Sequence, residues 1–105
     1  MFSRCVTVKL KMDGAKQVPN VIQNDVLPLL RKQKGFRDEI VLTAPHRSEF
    51  LALSFWDTKA DAEAYERTTY PEVLKAMTPI IEGTPKVETY EVSNSTFHKI
   101  LAQTA

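Results

Sequence analysis

The chain has 105 residues, which is the length of a single domain, and its 14 Lys and Arg side chains against 13 Asp and Glu give a net charge of +1. That balance lacks the basic excess typical of nucleic-acid-binding proteins. The single cysteine, Cys5, excludes an internal disulfide and a zinc site built from several thiolates. No stretch approaches the roughly 20 apolar residues that cross a bilayer, and the first residues do not resemble a signal peptide. We therefore expect a cytoplasmic protein that binds neither nucleic acid nor membrane.

The first half of the sequence predicts a strand, a long helix and a second strand. Residues 4–12 alternate strictly between polar and apolar side chains, which predicts a strand with one face in the core. From 16 to 34 the apolar residues recur at helical spacing, and Gly35 suits the end of that helix. Pro28 removes one backbone hydrogen bond and should kink or divide the helix. A short strand is predicted at 38–44.

The second half predicts a central strand, two helices and a last strand. Residues 49–56 are apolar on both faces, which indicates a strand that is covered from both sides. The Asp57-Thr58 step supplies the N-cap of the alanine-rich helix that follows. A further helix is predicted at 71–81, then a loop at Gly83-Thr84-Pro85 and a strand at 86–93.

This order of elements, β-α-β-β-α-β, predicts a ferredoxin-like α+β fold, with an antiparallel four-stranded sheet and helices on one face. Because helices cover only one face of such a sheet, the second apolar face of strand 49–56 needs another cover. In so short a chain the simplest cover is a second copy, so we predict a homodimer, packed sheet on sheet as a dimeric α/β barrel. We place the domain at 1–93. Residues 94–105 form a C-terminal arm, whose apolar content predicts docking on the domain or on the partner subunit.

Three segments of the sequence resemble those of a known family. They are KGFRDEIVL at 34–42, LALSFWDTKADAEAY at 51–65 and KVETYEV at 86–92, and they are similar to segments of the antibiotic biosynthesis monooxygenase-like domains of the dimeric α/β-barrel superfamily. The resemblance implies the same fold and dimer. Members of that superfamily include enzymes that oxidise quinols or aromatic polyketides with oxygen and no cofactor, enzymes that degrade haem, and an isomerase of a phosphorylated sugar. Fold alone does not choose among these activities.

The haem-degrading members share an Asn-Trp-His trio that this sequence lacks. The first strand carries Thr7 and Lys9 but no asparagine, the position of the helical tryptophan is Tyr65, and the histidine position falls near Met77. We therefore expect no haem degradation, and we expect no cofactor.

The candidate catalytic residues are Tyr65, Tyr70 and His98. A phenol in an apolar pocket can orient an aromatic hydroxyl or donate a proton when its pKa is shifted. Imidazole is the usual general base near neutral pH, and His98 would serve if the arm folds over the pocket. The opposing interpretation is that each tyrosine buries its ring and leaves its hydroxyl in water, and that His98 is an ordinary residue of the arm.

The predicted substrate pocket comprises Phe36, Trp56, Met77, Thr7 and Lys9. Trp56 could stack on a planar ligand, or it could only anchor the core where strand meets helix. Lys9 needs a partner on either face of the sheet, and Glu88 or Glu91 on the last strand would supply one; the alternative is a substrate anion. Since no His, Cys or carboxylate cluster shows ligand spacing, we expect no metal site.

Three functional hypotheses follow. The leading one is a small homodimer that oxygenates a small aromatic or quinol-like compound without a cofactor. The second is a non-catalytic dimer of the same fold that binds a small molecule or has a structural role. The third, isomerisation of a phosphorylated small molecule, requires a cationic cluster at the pocket mouth, for which Arg4, Lys9 and Lys11 are the candidates.

Overall fold

The computed structural model describes residues 1–44 and 46–98. Its elements are β1 (Phe2–Leu10), α1 (Gly14–Val21), a π-helical turn (Ile22–Val26), α2 (Leu27–Arg31), β2 (Phe36–Ala44), β3 (Glu49–Trp56), α3 (Lys59–Thr68), α4 (Tyr70–Met77) and β4 (Ile81–Glu91). The strands form one antiparallel sheet in the order β2-β3-β1-β4. This topology confirms the predicted ferredoxin-like α+β fold. None of the helices within the described ranges has the length and apolarity needed to cross a membrane.

Alternation along the strands separates the two sides of the sheet. On β3, Phe50 and Trp56 are fully buried with the helices, whereas Leu51, Leu53 and Phe55 on the other side are only partly buried. We call that other side the open face. Following the strand register, it includes Ser3, Cys5, Thr7, Lys9, Asp38, Ile40, Leu42, Glu49, Leu51, Leu53, Phe55, Glu82, Lys86, Glu88 and Tyr90.

The predicted long helix is divided at Pro28, as expected, and the division takes the form of a π-helical turn. The backbone N–H of Leu27 donates to the carbonyl of Ile22, five residues earlier. This shift places Pro28 in the first turn of α2. A missing N–H is tolerated there because the first N–H groups of a helix have no partner inside it.

The predicted loop at Gly83-Thr84-Pro85 is wrong, because these residues belong to β4. The register against β1 shifts between Thr7, which pairs with Lys86, and Lys9, which pairs with Glu82. The additional residues of β4 form a bulge, and Gly83 takes the left-handed backbone conformation there, with φ 77°. A turn signal in the sequence therefore marks a bulge inside a strand.

The predicted cap of α3 is present. The hydroxyl of Thr58 accepts a hydrogen bond from the backbone N–H of Asp61 at 3.1 Å. Gly35, before β2, lies against this first turn and has φ 78°. A Cβ atom at Gly35 would overlap the Asp61 side chain, whereas a Cβ atom at Gly83 would meet nothing within 4 Å.

We predict that Gly35→Ala destabilises the fold more than Gly83→Ala. Both substitutions place alanine at positive φ, which costs about 1–2 kcal/mol, but only Gly35→Ala adds an overlap, worth about a further 1–3 kcal/mol. Urea unfolding of both variants measures the difference. Equal losses of unfolding free energy would show that the first turn of α3 moves away from the added Cβ atom without measurable cost.

Candidate functional site

A small cavity, which we call the inner cavity, lies between the sheet and the helices. Its apolar walls are Val6, Ile22, Val26, Ala52, Val73 and Met77. Its polar walls are Arg4, Glu39, Ser54, Tyr65 and Tyr70. Its volume is about 20 Å³, room for roughly one water molecule. The polar groups come from five elements, three strands and two helices, so the fold itself assembles them.

Arg4 is the central charged residue among the polar side chains of the inner cavity. It is only 2% exposed, and it donates from Nη2 to Oε1 of Glu66 at 3.2 Å. Its guanidinium carbon lies 4.5 Å from the ring centroid of Tyr70 and 5.3 Å from that of Tyr65. One ion pair and two cation–π contacts thus hold a nearly desolvated cation.

Tyr65 belongs to a group of aromatic rings. Its ring centroid is 4.9 Å from that of Trp56 and 6.0 Å from that of Tyr70, and Phe36 packs edge-on against Trp56 at 5.5 Å. The indole N–H of Trp56 donates to the hydroxyl of Ser54 at 2.9 Å. Burial raises the pKa of Tyr65, with the nearby Arg4 charge opposing, so its phenol stays neutral. Trp56 and Phe36 support Tyr65 and are not part of the cavity wall.

The Tyr70 hydroxyl is buried, and its proton has no acceptor among the residues that the structure describes. Burial raises the pKa of Tyr70, and the positive charge of Arg4, which can also donate toward the phenol oxygen, opposes that shift. An unpartnered buried hydroxyl costs about 1–3 kcal/mol. A ligand oxygen or a water in the inner cavity would remove that cost, so the Tyr70 hydroxyl is available as a hydrogen-bond donor there.

Glu39 is a site residue that the sequence analysis missed. It lies on β2 opposite Ser54 and faces the helices. Burial raises the pKa of Glu39 from 4.5 to about 7, against the opposing charge of Arg4. A carboxyl group with that pKa can exchange a proton at neutral pH. The available signal was its shared strand face with Val41, which places a carboxylate on the core side.

We predict that Glu39 makes the protein less stable as pH rises from about 4.5 to about 7. Its folded pKa is raised, so in this window the folded state binds more protons than the unfolded state and the unfolding free energy falls. Glu39→Gln should remove this pH dependence of the unfolding free energy. Glu63→Gln, a substitution of an exposed carboxylate, should retain it. Urea unfolding across this pH range tests it, and an unchanged slope in Glu39→Gln would contradict the assignment.

Thr7 and Lys9 do not reach the inner cavity, so their placement in the substrate pocket is corrected. They alternate with the buried Val6 and Val8 and therefore lie on the open face. The predicted partners of Lys9 are also wrong. In the strand register Lys9 is opposite Glu49 and Glu82, whereas Glu88 is opposite Cys5 and Glu91 is opposite Phe2.

His98 also lies on the open face, across the sheet from the two tyrosines. Its Nε2 is 2.5 Å from Oδ2 of Asp38, and its ring centroid is 6.2 Å from that of Phe55. A cavity of about 500 Å³ lies between this side of the sheet and residues 94–98. Within one subunit His98 therefore cannot act with Tyr65 and Tyr70. Ile100 and Leu101, on which the predicted docking of the arm depends, lie outside the described residues.

The cationic cluster required for isomerisation of a phosphorylated compound is dispersed. Arg4 is at the inner cavity, Lys9 is on the open face, and Lys11 is exposed beyond the end of β1. Across residues 1–44 and 46–98, no three His, Cys, Asp or Glu side chains group as metal ligands would.

Solved structures with this fold include three from two bacteria. A Nitrosomonas europaea protein of unknown function superposes with a TM-score of 0.74 at 17% identity, covering 97% of this chain and 95% of its own. A second protein from that organism, provisionally named an antibiotic biosynthesis monooxygenase, has a TM-score of 0.71 at 18% identity, with coverages of 90% and 100%. A Bordetella bronchiseptica protein with the same provisional name has a TM-score of 0.74 at 9% identity, with coverages of 89% and 97%.

No family model and no curated protein matches the sequence. At identities this low, the solved structures establish the fold. The chain therefore has the fold of antibiotic biosynthesis monooxygenase-like domains, which confirms the resemblance at that level.

Proposed function

We propose that the protein is a cytoplasmic homodimer that oxygenates a small aromatic or quinol-like compound in the inner cavity, without a cofactor. The observation that carries this proposal is the convergence of Arg4, Glu39 and Tyr70 on one cavity. They supply a buried cation, a carboxyl group with a pKa of about 7 and a hydroxyl whose proton finds no acceptor within the described part of the chain.

Each residue has a role that follows from its surroundings. Glu39 removes the proton of a substrate phenol, Arg4 stabilises the phenolate that forms, and Tyr70 donates a hydrogen bond to a substrate oxygen. The phenolate ring then supplies electrons to O₂. A hydroquinone and O₂ yield a hydroxyquinone and water, with one oxygen atom in the ring and the other in the water. All four electrons come from the substrate, so no further reductant is needed.

Substrate binding requires the inner cavity to widen. Its volume of about 20 Å³ is far below the roughly 300–1,000 Å³ of ordinary ligand sites. Two wall segments have irregular helical backbone and are suited to move. They are the π-helical turn, with Ile22 and Val26, and the junction between α3 and α4, with Tyr70.

We predict oxygen-dependent turnover of at least one member of a panel of quinols, measured as O₂ uptake. Glu39→Gln should lower kcat about 100-fold or more through loss of the base, and Tyr70→Phe about tenfold through loss of one hydrogen bond. Glu72→Gln is the matched control, because Glu72 is exposed on α4 and does not line the inner cavity. Equal substrate loss with and without O₂, or full activity in Glu39→Gln, would refute the proposal.

The homodimer is part of the proposal because the open face carries exposed apolar side chains. Ile40 is 36% exposed and Leu42 is 51% exposed, beside the partly buried Leu51, Leu53 and Phe55. Leu42→Asp should therefore shift the protein from dimer to monomer in sedimentation experiments. Met12→Asp is the control, since Met12 is 92% exposed and lies outside the strands. A monomeric wild type at micromolar concentration would refute the dimer.

The closed inner cavity favours a second candidate, a non-catalytic dimer of the same fold. Arg4 would then be a structural cation that joins β1 to α3 through Glu66. In that case Glu39→Gln and Tyr70→Phe would change stability, and the quinol panel would show no O₂ uptake.

A further inference from the structure

A groove of about 280 Å³ lies between α3 and the neighbouring strands β1 and β4. Its charged walls are Arg4, Lys59, Glu63, Glu66 and Arg67. Among the residues described, Arg4 alone belongs both to this groove and to the inner cavity. Its guanidinium therefore separates the open groove from the proposed reaction site.

The contact that keeps Arg4 in place is exchangeable. Its partner Glu66 has a side chain that is 50% exposed, and the ion pair rests on one hydrogen bond of 3.2 Å from a single guanidinium nitrogen. A guanidinium has five N–H donors in a planar fork, which fits two oxygens of one carboxylate. A carboxylate arriving in the groove can offer that two-oxygen contact, while Glu66 turns out into water.

The charges around the groove favour the binding of an anion. Arg4, Lys59 and Arg67 are cationic against two carboxylates, and one of these, Glu63, lies 3.8 Å from Lys59. Release of Glu66 from Arg4 would leave a cation whose surroundings are largely desolvated, where an ion pair is stronger than in water. With Glu63 beside Lys59, Arg4 and Arg67 share the single carboxylate of Glu66, so the walls of the groove carry a net positive charge.

We infer that the substrate carries an acidic group on its aromatic ring, and that this carboxylate replaces Glu66 on Arg4. The inference rests on the proposed function, because it takes the inner cavity as the place of reaction. With its carboxylate on Arg4, the ring of the substrate lies toward Tyr70, 4.5 Å from the guanidinium carbon, and its phenol lies toward Glu39. Arg4 is then a specificity-determining residue. Glu66 is the carboxylate that pairs with Arg4 until the substrate binds.

Binding without oxygen tests this directly. Calorimetry under nitrogen compares a hydroquinone that bears a ring carboxylate with the same hydroquinone bearing a carboxamide. We expect the acid to bind at least tenfold more tightly to the wild type, and Arg4→Met to lose that preference. If Arg4→Met does not fold, Glu66→Gln remains decisive. This variant should bind the acid at least threefold more tightly than the wild type does, with an unchanged affinity for the amide. Glu72→Gln, an exposed carboxylate outside the groove, is the charge-matched control.

The outcomes separate this inference from the proposed function. Equal affinity for acid and amide, binding of neither, or no effect of Glu66→Gln would overturn the inference. Preferred binding of the acid without O₂ uptake would support the acid site and remove the oxygenase. O₂ uptake with neutral quinols and no preference for the acid would support the proposed oxygenase and overturn the acid site.

Discussion

A single buried cation organises the helix-facing side of this domain. Arg4 occupies a strand position between Phe2 and Val6, both buried, so its side chain must share the apolar layer under the helices. A charge in that layer is stable only when it has partners. Glu66 and the rings of Tyr65 and Tyr70 supply them. The contact joins the central strand β1 to α3 and to the start of α4, so the position of both tyrosines depends on it.

The same alternation that directs Arg4 inward decides what the open face presents. Thr7 and Lys9 point away from the helices, and so do the apolar side chains of β2 and β3. The two sides of the sheet therefore differ in chemistry. One holds a desolvated group of ionisable side chains, and the other a partly exposed apolar surface bordered by the Asp38–His98 pair. Apolar surface of this kind is usually covered by a partner, and that is the physical basis of the proposed dimer.

The sequence predicted the fold well and the site only in part, because sequence patterns report local geometry and the site depends on contacts between distant segments. Period-two and helical patterns report local geometry, so they gave the strands, the helices and the Thr58 cap. They do not report register between distant strands. The bulge after Gly83 and the partners of Lys9 were therefore missed. Glu39 was overlooked as a site residue, and Arg4 was considered only for a cationic cluster at the pocket mouth, because a charged residue in an alternating strand looks solvent-facing until its neighbours fix the face. The position of His98 depends on the path of the arm, which no local pattern contains.

Arg4 also links substrate binding to the strength of the base. The pKa of Glu39 reflects two opposing effects, burial that raises it and the charge of Arg4 that lowers it. If a substrate carboxylate pairs with Arg4 more completely than the half-exposed Glu66 does, less of that positive charge acts on Glu39. The pKa of Glu39 then rises, so its carboxylate form becomes a stronger base, while a smaller fraction of Glu39 is ionised at neutral pH and less of the Arg4 charge is left to stabilise the phenolate. A neutral quinol would leave the charge of Arg4 unchanged. Selection by charge and the basicity of Glu39 would thus be coupled through one feature, the electrostatic partner of a single guanidinium.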